Sequence, residues 1–142
     1  MLDCFVVDRT LVIVKPDGVE RRLIGEIVAR LEAKLLRVLA AELRTLDGPT
    51  AELLYAEHVG RDYFAKLLSF ITRGPVLVLV VEGPQDTWRV VRNLMGATDP
   101  NEAAPGTVRG DLAIEMAENL IHGSDSADSA RREIGIFFPH LA

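Results

Sequence analysis

The chain has 142 residues, 49% of them hydrophobic and 26% charged, with a formal net charge of −5. That length and composition fit one globular domain with a real core and exclude a disordered chain. The acidic balance excludes the overall basic footprint of a nucleic-acid binder, and the single cysteine, Cys4, rules out an internal disulfide and fits a reducing compartment.

Met1 to Thr10 contains Asp3 and Asp8, and no basic residue precedes its short apolar run, so it does not read as a signal peptide. No apolar stretch reaches membrane-spanning length; Val76 to Val81 is strand-sized. The simplest reading is a cytoplasmic protein with no membrane partner. Leu11-Val12-Ile13-Val14 is fully apolar and stops at Lys15-Pro16-Asp17-Gly18, which predicts a central strand ended by a turn. Leu23, Ile24, Ile27, Val28, Leu31 and Leu35 recur at helical spacing opposite Glu26, Arg30 and Lys34, the pattern of an amphipathic helix. Arg37 to Leu46 alternates as a half-exposed strand does.

Asp47-Gly48-Pro49 is a turn signal from which a helix can start. Thr50 to Ile71 predicts two short helices broken near Val59-Gly60-Arg61. Val76 to Val81 predicts a second buried strand, broken by Gly83-Pro84. The helix after it has Trp88, Val91, Leu94 and Met95 as its apolar face. Gly96 to Asp111 has little periodicity, and a loop of that length in a compact domain is usually functional. Asn119 to His122 predicts a last short strand and Ser126 to Ile134 a last helix. The core of this order is βαββαβ, the ferredoxin-like α+β pattern. It implies a four-stranded antiparallel sheet with helices packed on one face. The domain is expected to span residues 9–142, with residues 1–8 as an N-terminal extension.

No GxxxxGK[ST] motif is present, and no His/Cys cluster has metal-ligand spacing. A nucleotide would therefore have to be held by side chains. Lys15 at the end of a buried strand, Arg92 on a helix, and Thr98 and Arg109 around the long loop have suitable chemistry: arginine offers a planar fork and lysine a compact charge. Taken singly, each is better read as a solvated surface charge.

His122 ends a short apolar run. Gly123 is expected to clear space beside its ring, Ser124-Asp125 to anchor the following turn, and Glu133 to reach back and hold one ring nitrogen. A carboxylate on one nitrogen fixes the tautomer and frees the other lone pair to attack. A packed core histidine is the plainer alternative. His58 and His140 read as structural or solvated. Tyr55 has a hydroxyl able to orient Lys15, or is an ordinary half-buried tyrosine.

The blocks Arg9-Thr10-Leu11 to Val19, Tyr55-Ala56-Glu57-His58, Gly74-Pro75-Val76, Val81-Glu82-Gly83, Gly96 to Pro100, Pro105 to Asp111, and Asn119 to Ser126 occur in one order along the chain. Together they resemble the nucleoside diphosphate kinase family, in its short bacterial form. The resemblance implies Mg²⁺-dependent ping-pong transfer of a γ-phosphoryl group from a nucleoside triphosphate to a nucleoside diphosphate, through a pros-phosphohistidine on His122. It makes Glu133 and Ser124 supports of that histidine. Lys15 would bind the transferred group and the sugar hydroxyl, oriented by Tyr55. Arg92, Thr98 and Arg109 would bind phosphates, Asn119 the ribose, and Tyr63 and Met116 the base. Asp125 would help place a magnesium ion held mainly by the nucleotide's phosphates. The resemblance also implies a homo-oligomer, hexamer or tetramer. Tyr63 stands where phenylalanine is common, Arg22 where glycine is frequent, and Asp62 and Ala65 where prolines are frequent. The alternative is a catalytically silent nucleotide-binding or regulatory module of the same fold. A nucleic-acid-binding role is opposed by the net charge of −5.

Overall fold

A computed structural model describes residues 7–142; Cys4 lies outside the described residues. One sheet is built from β1 (Val7–Val14), β2 (Arg37–Arg44), β3 (Val76–Pro84) and β4 (Ile121–Gly123). The strand order is β2-β3-β1-β4, and each neighbouring pair is antiparallel. The helices are α1 (Pro16–Glu20), α2 (Ile24–Ala33), α3 (Gly48–Leu54), α4 (Phe64–Ile71), α5 (Thr87–Met95), α6 (Val108–Leu112) and α7 (Ala127–Phe137). The expected ferredoxin-like fold is present, with α2 and α5 as its two crossover helices and α3 and α4 inserted between β2 and β3.

Helices cover both faces of the sheet, not one. Val12, Val14, Leu79 and Val81 share a cluster with Ile27 and Leu31 of α2 and Val91 and Met95 of α5. Leu11, Ile13, Val76, Val78 and Val80 point the other way, against Ala51 and Leu54 of α3, Ile71 of α4, and Ile134 and Phe137 of α7. The reason is in the strands: β1 and β3 are apolar at consecutive positions, so each presents an apolar row to both sides and both need cover.

Several boundaries differ from the sequence reading. The last strand, expected from Asn119 to His122, is Ile121–Gly123, because Asn119 and Leu120 form the turn before it. Strand β1 begins at Val7, and its first two residues pair with Pro84 and Gly83, so β3 runs through the Gly-Pro pair instead of stopping before it. Proline is tolerated there because it closes the strand. Lys15-Pro16-Asp17-Gly18 opens the short helix α1, with proline in its first turn where no donor is lost. The long loop carries α6, capped by the Thr107 hydroxyl, which accepts from the Gly110 N–H at 3.0 Å. Elsewhere the local signals hold: α7 is capped by Ser126, and α3 by Asp47, whose carboxylate accepts from the Thr50 N–H. No helix among the described residues is long and apolar enough to cross a membrane.

Leu35 does not join the apolar stripe of α2. It lies beyond the helix end, 90% exposed, with φ +67°. The N–H of Leu36 donates to the Leu31 carbonyl at 3.2 Å, and that of Leu35 to Glu32 at 2.9 Å. This is a Schellman stop whose left-handed position holds a leucine where glycine is preferred. Arg22, at the α1–α2 junction, has φ +60°, a conformation that glycine adopts without strain. Leu35→Gly is expected to raise stability by ~0.5–1 kcal/mol, the left-handed penalty less the added chain entropy. A rise in the urea midpoint at unchanged slope checks it.

Candidate active site

His122 sits on β4 opposite Ile13, on the sheet face covered by α3, α4 and α7. Its side chain is mostly buried, at 18% exposure, and its Nε2 is hydrogen-bonded to Oε1 of Glu133 on α7. Glu133 is itself only 4% exposed. With Nε2–H donating to the carboxylate, Nδ1 keeps the free lone pair. The ring edge of Tyr55 packs against His122 at a centroid distance of 5.9 Å.

The backbone that delivers His122 is strained. The Ile121 N–H donates to the Asn119 carbonyl at 2.9 Å, and Leu120 between them has φ +73°. This is a γ-turn of the rare positive-φ kind. It is held on three sides: Leu120 is fully buried, its carbonyl accepts from the Lys15 N–H at 2.9 Å, and its N–H donates to Oδ2 of Asp17 at 3.0 Å. Strain of this sort persists only where the surroundings over-determine it.

Gly123 works differently from the sequence expectation. Strand alternation turns it away from the His122 side, and a Cβ there would meet the Met95 sulfur at 2.5 Å. Its role is to let α5 approach β4. That approach brings Arg92 close enough for Nη1 to donate to the Gly123 carbonyl at 3.2 Å.

Nearly all the sequence candidates line one cleft of about 680 Å³: Lys15, Tyr55, Tyr63, Arg92, Thr98, Arg109, Met116, Asn119, His122, Asp125 and Glu133. Lys15 Nζ donates to Asn119 Oδ1 at 2.8 Å, and Asn119 Nδ2 donates to the Thr98 carbonyl at 3.0 Å. Arg109, 4% exposed, donates to the carbonyls of Asn119, Gly96 and Ile121 at 3.2, 3.1 and 2.7 Å. A guanidinium has five N–H groups, so two directions remain. Tyr63 and Met116 stand at the mouth, 48% and 57% exposed. Asp125 is exposed on the rim.

Two expected contacts are absent among the described residues. The Tyr55 hydroxyl is buried and makes no hydrogen bond, so Asn119 and not Tyr55 orients Lys15. Ser124 does not line the cleft; its buried hydroxyl is also unpaired, and its backbone N–H extends the β4 edge by donating to the Leu11 carbonyl at 3.2 Å.

The cleft concentrates positive charge in an acidic protein. Burial, then Arg109, push the Lys15 ammonium down to about 8, with Asp17 opposing. Burial, then Arg92, push Arg109 down to about 10. Burial also holds the Asp17 carboxyl above its ordinary value and the Tyr55 phenol above its own. Buried cations that depress one another are stabilised by an anion placed among them. Among the described residues no group of three or more His, Cys, Asp or Glu side chains can hold a metal ion.

A cleft with convergent cations, a carboxylate-held histidine and an aromatic at its mouth is suited to moving a phosphoryl group. The nucleoside diphosphate kinase family model matches residues 8–142. The chain belongs to that family. It is 57% identical over 135 residues to the nucleoside diphosphate kinase of Mycolicibacterium gilvum, covering 94% of this chain and 98% of that one. It is 55% identical to the same enzyme of a Parafrankia species, covering 95% and 98%. Among solved structures it is similar to a halophilic nucleoside diphosphate kinase from Halobacterium salinarum in complex with CDP, with TM-score 0.90 and 51% identity over 94% of this chain and 88% of that one. A nucleoside diphosphate kinase family protein from Babesia bovis matches with TM-score 0.90 and 41% identity, over 94% and 90%.

Sequence reasoning about this kinase missed several cleft residues. Phe70 carries Lys15 Nζ at 5.9 Å and the Arg73 guanidinium at 4.7 Å from its ring centroid. Arg132 reaches the Leu53 carbonyl at 2.9 Å and lies 4.0 Å from Oε2 of Glu133. His58, read as structural or solvated, also lines the kinase cleft. No local spacing signals these residues, because each reaches the cleft from a separate helical segment.

Proposed function

We propose that the chain moves the γ-phosphoryl group of a nucleoside triphosphate to a nucleoside diphosphate through His122, by a ping-pong route. The observation that carries this reading is the Nε2–Glu133 hydrogen bond beneath a cleft holding Lys15, Arg92 and Arg109. Nδ1 attacks the γ-phosphorus as the bond to the bridging oxygen breaks, and the diphosphate leaves with that electron pair. The imidazole becomes cationic as it bonds to phosphorus, and Glu133 balances that charge through Nε2–H. A second diphosphate then attacks the phosphohistidine along the same line, and Nδ1 recovers its lone pair. Little else is left to the protein than alignment and charge neutralisation.

Lys15, Arg92, Arg109 and Thr98 are assigned to the phosphates, Asn119 to the ribose, and Tyr63 and Met116 to the two faces of the base. Stacking reads no base edge, so this assignment entails low base selectivity. Tyr55 is assigned to the wall beside the transferred group, its hydroxyl buried, and Ser124 to the support of the chain that follows His122, through its backbone N–H on the Leu11 carbonyl. Magnesium fits as an ion held by the nucleotide's own phosphates. The single carboxylate of Asp125 at the rim suits a water-mediated partner and does not form a cage. When bound, that ion supplies charge neutralisation on the phosphate oxygens. The assembly is assigned as a homo-oligomer, hexamer or tetramer, which the β2 edge, unpaired among the described residues and with Leu43 exposed, favours. The compartment is assigned as the cytoplasm.

Incubation with γ-labelled ATP and Mg²⁺ tests this reading. The expected result is an acid-labile label on the protein, discharged to GTP when GDP is added. Folded protein that takes no label overturns it in favour of the silent module.

A further inference from the structure

We propose that His58 is a positioning residue for the nucleotide base, acting through the hydroxyl of Tyr63. The inference rests on the assignment of Tyr63 to the base.

Tyr63 needs such a partner. It is 48% exposed and stands immediately before α4, at the end of Val59–Asp62, where Val59 is 63% exposed and Gly60 has φ +86°. The neighbouring residues Arg61 and Asp62 are also exposed, so that segment gives the ring little packing. A base that stacks on a freely turning ring must freeze it, and the lost rotamer freedom weakens binding. The His58 Nδ1 lies 2.6 Å from the Tyr63 hydroxyl, and the two rings meet edge to face at a centroid distance of 5.5 Å.

His58 is anchored in turn. It ends the 3₁₀ turn Ala56–His58, and its ring packs on Tyr55 at 5.9 Å. Tyr55 is 5% exposed and packs on His122. A chain of aromatic contacts thus runs from the buried nucleophile to the mouth, and His58 is the link that hands position to Tyr63. The link survives either form of the ring. The tyrosine hydroxyl donates to Nδ1 when that nitrogen is bare and accepts from it when it carries a proton.

Single-turnover labelling of His122 by ATP, at a series of ATP concentrations, tests the proposal. His58→Ala is expected to raise the half-saturating ATP concentration about threefold to tenfold, the usual worth of one hydrogen bond. The maximal labelling rate is expected to hold, because Tyr55, 5% exposed, keeps its place against His122 when the His58 ring is removed. Tyr63→Phe removes the same bond from the other side and should produce a rise of the same size. The double variant should be no worse than either single one, which marks a shared interaction. His58→Asn, whose amide puts a polar atom where Nδ1 stands, should restore most of the affinity.

Equal half-saturation in His58→Ala and wild type overturns the proposal, as do strictly additive losses in the double variant or a lower maximal rate without a change in half-saturation. Failure of the underlying assignment looks different. Wild type would then take no label, or Tyr63→Ala would bind ATP as well as wild type.

Discussion

His122→Ala is expected to abolish turnover, with a loss of at least about 10⁴-fold and no labelled protein at any ATP concentration. In a ping-pong reaction the two nucleotides occupy one cleft in turn, so no direct route exists between them once the acceptor on the protein is gone. The variant also leaves Glu133, 4% exposed, without its hydrogen-bond partner and with Arg132 only as a distant counter-charge at 4.0 Å. An unpaired buried carboxylate destabilises by ~1–3 kcal/mol, so part of any loss from alanine alone can come from a loosened site. His122→Gln separates the two effects. Its amide nitrogen stands where Nε2 does and can still donate to Glu133, but it offers no nucleophile. Both variants should be inert, and only the alanine should melt early. A glutamine variant that still turns over phosphate would remove His122 from the mechanism.

The parts of the molecule that were legible from residues alone are those written in short stretches of chain. Leu11-Val12-Ile13-Val14 reads as a central strand because four apolar neighbours cannot alternate, and all four are fully buried in β1. Ser126 caps α7 by the same short-range chemistry that predicts it. Where the reading failed, a distant segment decided the outcome. Leu35 has the right spacing for the α2 stripe, but the pull of Leu36 into the core beside Leu31 turns the chain one residue early. Gly123 looks like room for His122 until α5 is seen against its other side. The two-faced cover of the sheet follows from runs in β1 and β3 that do not themselves say which helices arrive. In the site, the histidine and its carboxylate could be paired by reasoning about tautomers. The convergence of Lys15, Arg92 and Arg109 could not, because 94 residues separate Lys15 from Arg109 and only the assembled fold brings them together. That part was supplied by resemblance to the family, and the Lys15–Asn119 bond was foreseen by neither route.

Lys15 is the residue for which activity and stability are expected to move in opposite directions. Burial and the neighbouring Arg109 hold its folded value near 8, against the ordinary lysine value of 10.5. A lysine lowered in this way does not stabilise the fold. Below about pH 8 the ammonium is charged in both folded and unfolded chains, and the full desolvation penalty, about 3 kcal/mol for a shift of that size, is present. Between about 8 and 10.5 the folded protein gives up the proton first, so the unfolded state binds more protons and stability rises with pH. Lys15→Met fills the same volume without the charge. At pH 7 it is expected to be more stable by ~1–2 kcal/mol, after subtracting about 1 kcal/mol for the Asn119 acceptor left unpaired. That advantage should shrink as pH climbs from 8 towards 10.5, and denaturant melts across this range follow it. Activity should move the other way. Loss of one preorganised charge beside the transferred group is expected to lower kcat/KM by about 10²–10³-fold. Wild-type kcat/KM should fall above about pH 8 as free Lys15 is deprotonated, and this limb should be missing from the variant. In the nucleotide complex the phosphates return the proton to Lys15, so the limb in kcat should lie at higher pH than the limb in kcat/KM. An unshifted alkaline limb in Lys15→Met would assign that titration to another group. Equal stability of the two proteins at pH 7 would mean that the ammonium is better solvated than its 8% exposure implies. A buried cation retained at a cost to the fold, in the one place where a phosphate would neutralise it, is the signature of a site built for an anion.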